Sequence, residues 1–131
     1  MTAVNRLTEE QIEKLAVEVR QFLLDNLLWR DVDIYFNGKS FTTYDEKTKK
    51  YYYNDPDHLF VLEDEDPSEY FSYAAEDHIL SMTFTGPLYD LIKYPQAEGN
   101  QEKLDKFNQI FTKYGLYYEL GDSWNLSCYY A

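Results

Sequence analysis

Two histidines and twenty-four carboxylates are the side chains of this 131-residue chain with chemistry to offer. Asp55, Asp57 and His58 stand together, and Asp77 and His78 follow twenty residues later. Imidazole and carboxylate groups are ligands for divalent ions. Their spacing matches neither a His-Glu-x-x-His helix nor a calcium loop with glycine at its sixth position. Asn54-Asp55-Pro56-Asp57 is more simply a turn in which aspartate side chains bond to the backbone. Whether Asp55, Asp57, His58 and His78 converge on a metal stays open at this level. The run Glu63-Asp64-Glu65-Asp66 offers four acids, but four adjacent carboxylates cannot all turn onto one ion. Paired carboxylates for glycoside hydrolysis are findable in any chain this acidic, and 131 residues without glycine-rich loops give little scaffold for a deep pocket. Cys128 lies in the alternation Leu126-Cys128-Tyr130 and reads as a buried structural thiol. No G-x-x-x-x-G-K phosphate loop is present. No catalytic residue, metal or cofactor is assigned.

The acids matter more by where they fall than by what they could ligate. Net charge is −12, from 24 Asp and Glu against 12 Lys and Arg. Tyr51 to Ile92 holds ten of the acids (Asp55, Asp57, Glu63, Asp64, Glu65, Asp66, Glu69, Glu76, Asp77, Asp90) and no Lys or Arg. The flanking stretches, 1–50 and 93–131, each carry −1. Such a balance argues against direct binding to a phosphate backbone, which needs a basic face, and against anionic membrane surfaces. Fourteen tyrosines among 24 aromatic residues place many rings at a surface or rim. An acidic face carrying tyrosine suits a basic nucleic-acid-binding cleft, with carboxylates meeting Lys and Arg in place of phosphates. The residues expected to make that contact are Glu63, Asp64, Glu65, Asp66, Glu69, Tyr70, Tyr73, Glu76 and Asp77.

The elements that must carry these residues read as an α+β domain spanning 1–131, an antiparallel sheet with helices packed on one face. Thr8 caps a first helix and Gln11 completes a capping box, with Leu7 stapled towards Ile12. Ile12, Leu15, Ala16, Val19, Phe22, Leu23 and Leu27 form its apolar face, ending near Leu28 to Arg30. Val32, Ile34 and Phe36 then alternate up to Asn37-Gly38, a hairpin turn returning through Lys39 to Tyr44. Tyr51 to Tyr53 is expected as the third strand of this meander. His58 to Leu62 is ambiguous between strand and buried turn, and Ser68 to Ala75 reads as a short helix. Ile79 to Thr85 is a strand, Pro87 opens a short helix with Leu88, Leu91 and Ile92, and Lys103 to Tyr114 is a helix closed by Gly115. Leu116 to Leu120 and Ser123 to Tyr130 pair across a two-residue turn, Gly121-Asp122. Trp29 and Trp124 read as core anchors.

One cysteine permits no internal disulfide and no cysteine-built zinc site, and Met1 to Leu7 has no apolar stretch of a signal peptide. The longest apolar stretch, within 22–28, is far too short to span a bilayer. A cytoplasmic monomer or small homo-oligomer is expected. Through the acidic stretch Tyr51–Ile92, the chain resembles as a class the small acidic inhibitors that phages and mobile elements carry against CRISPR or restriction nucleases. The segments Ser81–Tyr89 and Gly115–Gly121 are similar to stretches of mobile-element proteins. That resemblance implies an anti-CRISPR or anti-restriction type of nucleic-acid mimic, non-enzymatic, whose partner is a basic nuclease or its nucleic-acid-binding subunit. Two further readings stand beside it: an immunity or antitoxin protein masking a basic toxin, and a carbohydrate-binding or hydrolytic domain using paired carboxylates.

Overall fold

The computed structural model describes residues 6–63 and 79–131. Helix α1 spans Glu9–Asp25 and begins as the capping box requires: the Thr8 hydroxyl accepts from the Gln11 backbone, and the Gln11 side chain accepts from the Thr8 N–H. Its far end departs from the sequence reading. The helix stops at Asp25, three to five residues early, and Leu27 takes a left-handed conformation, φ 58°. The Leu28 N–H returns to the Leu23 carbonyl at 2.7 Å and the Leu27 N–H to Leu24 at 3.2 Å, closing a Schellman motif without glycine. Leu27, expected on the apolar face, is instead 69% exposed.

Strands β1 (Val32–Phe36) and β2 (Lys39–Thr42) form the Asn-Gly hairpin, with Asn37 and Gly38 both at positive φ. The third strand is a correction. Tyr51 pairs only within a two-stranded ribbon of β3 (Tyr44–Asp45) and β4 (Lys50–Tyr51), outside the main sheet. Beside β2 lies β5 (Phe60–Glu63), from the run the sequence left ambiguous. Strand β6 (Leu80–Phe84) and helix α2 (Pro87–Lys93) follow, with Pro87 in the first turn. Helix α3 (Asn100–Lys113) starts three residues before the expected Lys103 and is capped by Tyr114, with Gly115 following at φ 75°. Strand β7 (Leu116–Leu120) ends four residues before β8 (Asn125–Tyr130) begins, so the connection is 121–124 and not the two-residue turn expected. The Asn125 side chain closes this longer loop, accepting from the Asp122 N–H at 3.2 Å.

The described elements are thus three helices, a six-stranded antiparallel sheet in the order β5-β2-β1-β6-β8-β7, and the small ribbon, an α+β architecture. Alternation along each strand decides which face each residue joins. Ile34, Phe36, Leu80, Met82, Phe84, Leu126 and Cys128 join one buried cluster with Leu15, Val19 and Leu23 of α1, Leu88 and Leu91 of α2, and Phe107 and Phe111 of α3. Cys128 is fully buried, as its alternation implied, and burial pushes its thiol pKa up. No described helix is long and apolar enough to cross a membrane.

Candidate functional site

The register that builds the core lines up a different set of side chains on the sheet's other face. Thr42, Asp33, Thr83 and Asn125 form one row across β2, β1, β6 and β8, and Ser40, Tyr35, Ser81 and Ser127 the next. In sequence these residues are the polar alternates of four separate strands; the pairing gathers them on one face, where Tyr35, Ser40, Thr42, Ser81, Asn125 and Ser127 are buried and Asp33 and Thr83 partly so. Ser81 and Ser127 share a hydrogen bond of 2.8 Å, and the Thr83 hydroxyl donates to Asp33 at 3.3 Å.

At the end of this face nearest Thr42 and Thr83, the surface opens into a groove of about 530 Å³. Among the described residues it is lined by Asp33, Tyr35, Ser40, Thr42 and Thr83 of the strands, Tyr44 and Tyr51 of the ribbon, Trp124 of the β7–β8 loop, and Asp31. Trp124, expected as a core anchor, is only half-buried and lines this groove, whereas Trp29 is fully buried. Among the described residues, the lining contains two carboxylates and no Lys, Arg or His.

Local structure holds each wall in place. Asn54, at φ 54°, accepts from the Trp29 N–H through its side chain at 2.9 Å, while its own N–H returns to the Trp29 carbonyl at 2.8 Å. That clamp and the Tyr52 N–H bond to the Thr43 carbonyl (2.8 Å) fix the tyrosines of the ribbon against the sheet. The rings of Tyr44 and Tyr51 lie 4.8 Å apart, and Tyr51 and Tyr53 5.7 Å apart. Asp31 sits at φ 56° before β1, its carbonyl accepting from the Thr85 N–H at 3.0 Å. Its carboxylate accepts from the Tyr53 hydroxyl at 3.0 Å and meets the Arg30 guanidinium at 3.7 Å. Desolvation first, and the bond to Asp31 second, push the Tyr53 phenol pKa up. Gly86 passes so close that a Cβ there would stand 3.3 Å from an Asp31 oxygen, and its φ of 68° suits glycine alone.

The cluster of Asp55, Asp57 and His58 forms the turn that the sequence indicated. Asp55 accepts from the Asp57 N–H at 2.9 Å and from His58 Nδ1 at 2.6 Å. The His58 ring stacks on Tyr52 at 4.2 Å. The Asp57 bond, followed by the bond to His58 and the charge of Arg20, holds the Asp55 carboxyl below its ordinary pKa. Arg20 itself donates to the carbonyls of Asp55 and Pro56. Among the described residues no three His, Cys, Asp or Glu side chains gather to hold a metal ion; His78 lies outside them.

Of the nine residues expected at the acidic interface, Glu63 is exposed at the end of β5, across from Lys39. Asp64, Glu65, Asp66, Glu69, Tyr70, Tyr73, Glu76 and Asp77, with the expected helix Ser68 to Ala75, lie outside the described residues. The residues bounding that stretch stand at one end of the sheet: Glu63 pairs with Lys39, Lys39 with Phe36, and Phe36 with Leu80. Three strand spacings, about 14 Å, separate its two attachment points.

Most of the described basic residues are engaged within the chain. Lys39 bonds Glu13, Lys113 bonds Glu18, Lys106 meets Glu102, Lys93 donates to the Tyr89 hydroxyl, and Arg6 lies over the Tyr130 ring. Sequence reasoning missed the groove because its residues come from 31–44, 51, 62, 83–85 and 124. The polar alternation of β1 and β6 was the one available signal. No protein-family model, curated protein or solved structure matches the chain.

Proposed function

We propose that this chain is a non-enzymatic, cytoplasmic protein that binds and inhibits a basic nucleic-acid-binding protein by presenting carboxylates in place of phosphates. The class of partner is a CRISPR or restriction nuclease complex. The observation that carries the reading is the partition of charge: 42 consecutive residues, Tyr51 to Ile92, hold ten acids and no base. The pairing of Arg20, Arg30, Lys39, Lys106 and Lys113 with acidic residues or carbonyls of the same chain supports it, because those cations already have partners within the chain. A concentrated acidic surface repels itself within a Debye length of ~8 Å. A basic partner relieves that repulsion and gains steering from it.

The test is capture from host lysate at low salt, followed by elution with rising salt and a nuclease-inhibition assay on what elutes. A basic nucleic-acid-binding protein is expected to elute early and to be inhibited by the chain. The variant with Glu63→Gln, Asp64→Asn, Glu65→Gln and Asp66→Asn together should keep its fold and lose that inhibition. Undiminished inhibition by the folded variant removes the acidic-surface mechanism.

A further inference from the structure

Strand β7 ends the sheet on the side opposite β5, and its ladder with β8 decides where its backbone groups point. The Ala131 N–H donates to the Gly115 carbonyl at 3.0 Å, and the Gly121 N–H to the Asn125 carbonyl at 3.2 Å. Hydrogen-bonded pairs alternate along an antiparallel ladder, so Gly115, Tyr117, Glu119 and Gly121 turn their N–H and C=O groups towards β8. Leu116, Tyr118 and Leu120 turn theirs away from it. Among the described residues, no hydrogen bond reaches the backbone of these three on that outer edge. Beside it the surface opens into a gap of about 380 Å³, between Asn108, Phe111 and Thr112 of α3 and Leu116, Tyr117 and Tyr118 of β7.

An open edge is a template for another strand, and chains that must avoid such pairing protect it with Lys, Pro or a bulge. The strand Leu116-Tyr117-Tyr118-Glu119-Leu120 has none of these, and its register with β8 is unbroken. Its sequence is also its own complement. Set antiparallel to a second β7, in the register that uses all three outward residues, Leu116 faces the partner's Leu120 and Tyr118 the partner's Tyr118. Tyr117 then faces the partner's Glu119, a phenol against a carboxylate, and no carboxylate faces another. Tyr117 and Leu120 are among the chain's exposed large apolar side chains, and this register covers both. Local charge favours the contact as well. Residues 100–120 hold three acids (Glu102, Asp105, Glu119) and three bases (Lys103, Lys106, Lys113). Glu63 ends β5 at the far edge of the sheet, about 24 Å of strand spacings away and well beyond a Debye length of ~8 Å.

We propose that β7 pairs antiparallel with β7 of a second copy of this chain, about a two-fold axis at Tyr118, joining two six-stranded sheets into one. The self-complementary order of its side chains selects a second copy over a foreign strand. The dimer goes beyond the acidic-binder reading and does not rest on it.

The experiment measures the mass of the full chain by light scattering across a concentration series, with amide hydrogen exchange at both ends of that series. The mass should rise from 15.7 kDa towards twice that value. The amides of Leu116, Tyr118 and Leu120 should gain protection only at high concentration, while those of Tyr117 and Glu119 are protected throughout. Salt should strengthen the dimer by screening the −12 on each chain, whereas it weakens capture of a basic partner. Tyr117→Glu opposes two carboxylates across the axis and should weaken the dimer about tenfold. Tyr117→Lys opposes unlike charges there and should tighten it severalfold. Val61→Glu adds the same charge as Tyr117→Glu but on β5, at the opposite edge, and should leave the dimer within about twofold of the parent. A chain that stays at 15.7 kDa overturns the proposal. So does a dimer whose newly protected amides lie elsewhere, or one that responds alike to Tyr117→Glu and Tyr117→Lys.

Discussion

His58 Nδ1 lies 2.6 Å from the Asp55 carboxylate, and the same carboxylate accepts the Asp57 N–H at 2.9 Å. Asp55 is therefore the hub that ties the 54–58 turn together. The Arg20 guanidinium of α1 reaches the carbonyls of Asp55 and Pro56 as well.

A pH dependence follows from that hub. The folded pKa of Asp55 is depressed, so the turn's contribution is present above the unfolded value of ~3.9 and is lost as pH falls through the folded value. Asp55→Asn should lower stability at pH 6 and converge with the parent under acid. Urea midpoints taken from pH 6 to pH 2 check it; parallel curves would count against the role given to Asp55.

The Ser81–Ser127 bond joins two buried hydroxyls across β6 and β8. Either single Ser→Ala change leaves the other hydroxyl without this partner, at a cost of about 1–3 kcal/mol. The double change should cost less than the two singles added together. A double-mutant cycle by chemical denaturation measures the coupling, and additivity within error would show that the pair is not energetically linked.

Leu27→Gly should stabilise the chain. A left-handed leucine costs roughly 1–2 kcal/mol that glycine avoids, and at 69% exposure the side chain gives up little buried area. A gain of about 1 kcal/mol corresponds to a rise in Tm of about 4 °C for a chain of this size. A calorimetric Tm that falls instead would mean that the Leu27 side chain is needed where it stands.

Gly86→Ala should act in the opposite sense. A Cβ at φ 68° meets an Asp31 oxygen at 3.3 Å, and strain of this kind costs about 1–3 kcal/mol. Because Asp31 is a groove wall, the same variant should shift the amide resonances of Asp31 and Thr85. Unchanged spectra with unchanged stability would contradict the close approach.

Cys128 should resist thiol reagents in the folded chain. It is fully buried and its pKa is raised by that burial, so thiolate is scarce and access is closed. Labelling by a disulfide reagent should follow the unfolding rate as urea is added. Rapid labelling in buffer would be incompatible with its place in the core.

The parts of the fold that could be read from sequence are those set by local chemistry. Thr8 with Gln11, Asn37-Gly38, Pro87 and Gly115 each place an element end because few residue types satisfy the backbone there. The misreadings share a different cause. Tyr51 to Tyr53 has strand composition as strong as Phe60 to Glu63, and only tertiary pairing with Ser40 and Phe41 decides between them. Leu27 satisfied the helical period, yet chain reversal after Asp25 turned it outward. The longer loop 121–124 arose because Asn125 supplies its own turn contact to Asp122. For the site, the charge of the acidic stretch was legible residue by residue. The groove was not, because Asp33, Thr42 and Thr83 become neighbours only through register.

Strand β6 has a kinetic meaning. The pairs β1–β2 and β7–β8 are hairpins that close over short loops, whereas β6 joins them through contacts 50 residues back, at Asp33, and 46 residues ahead, at Ser127. Loop-closure entropy makes such distant pairings late and slow. The two hairpins can form early and independently, and the docking of β6 between them is the event that converts two local structures into one cooperative unit.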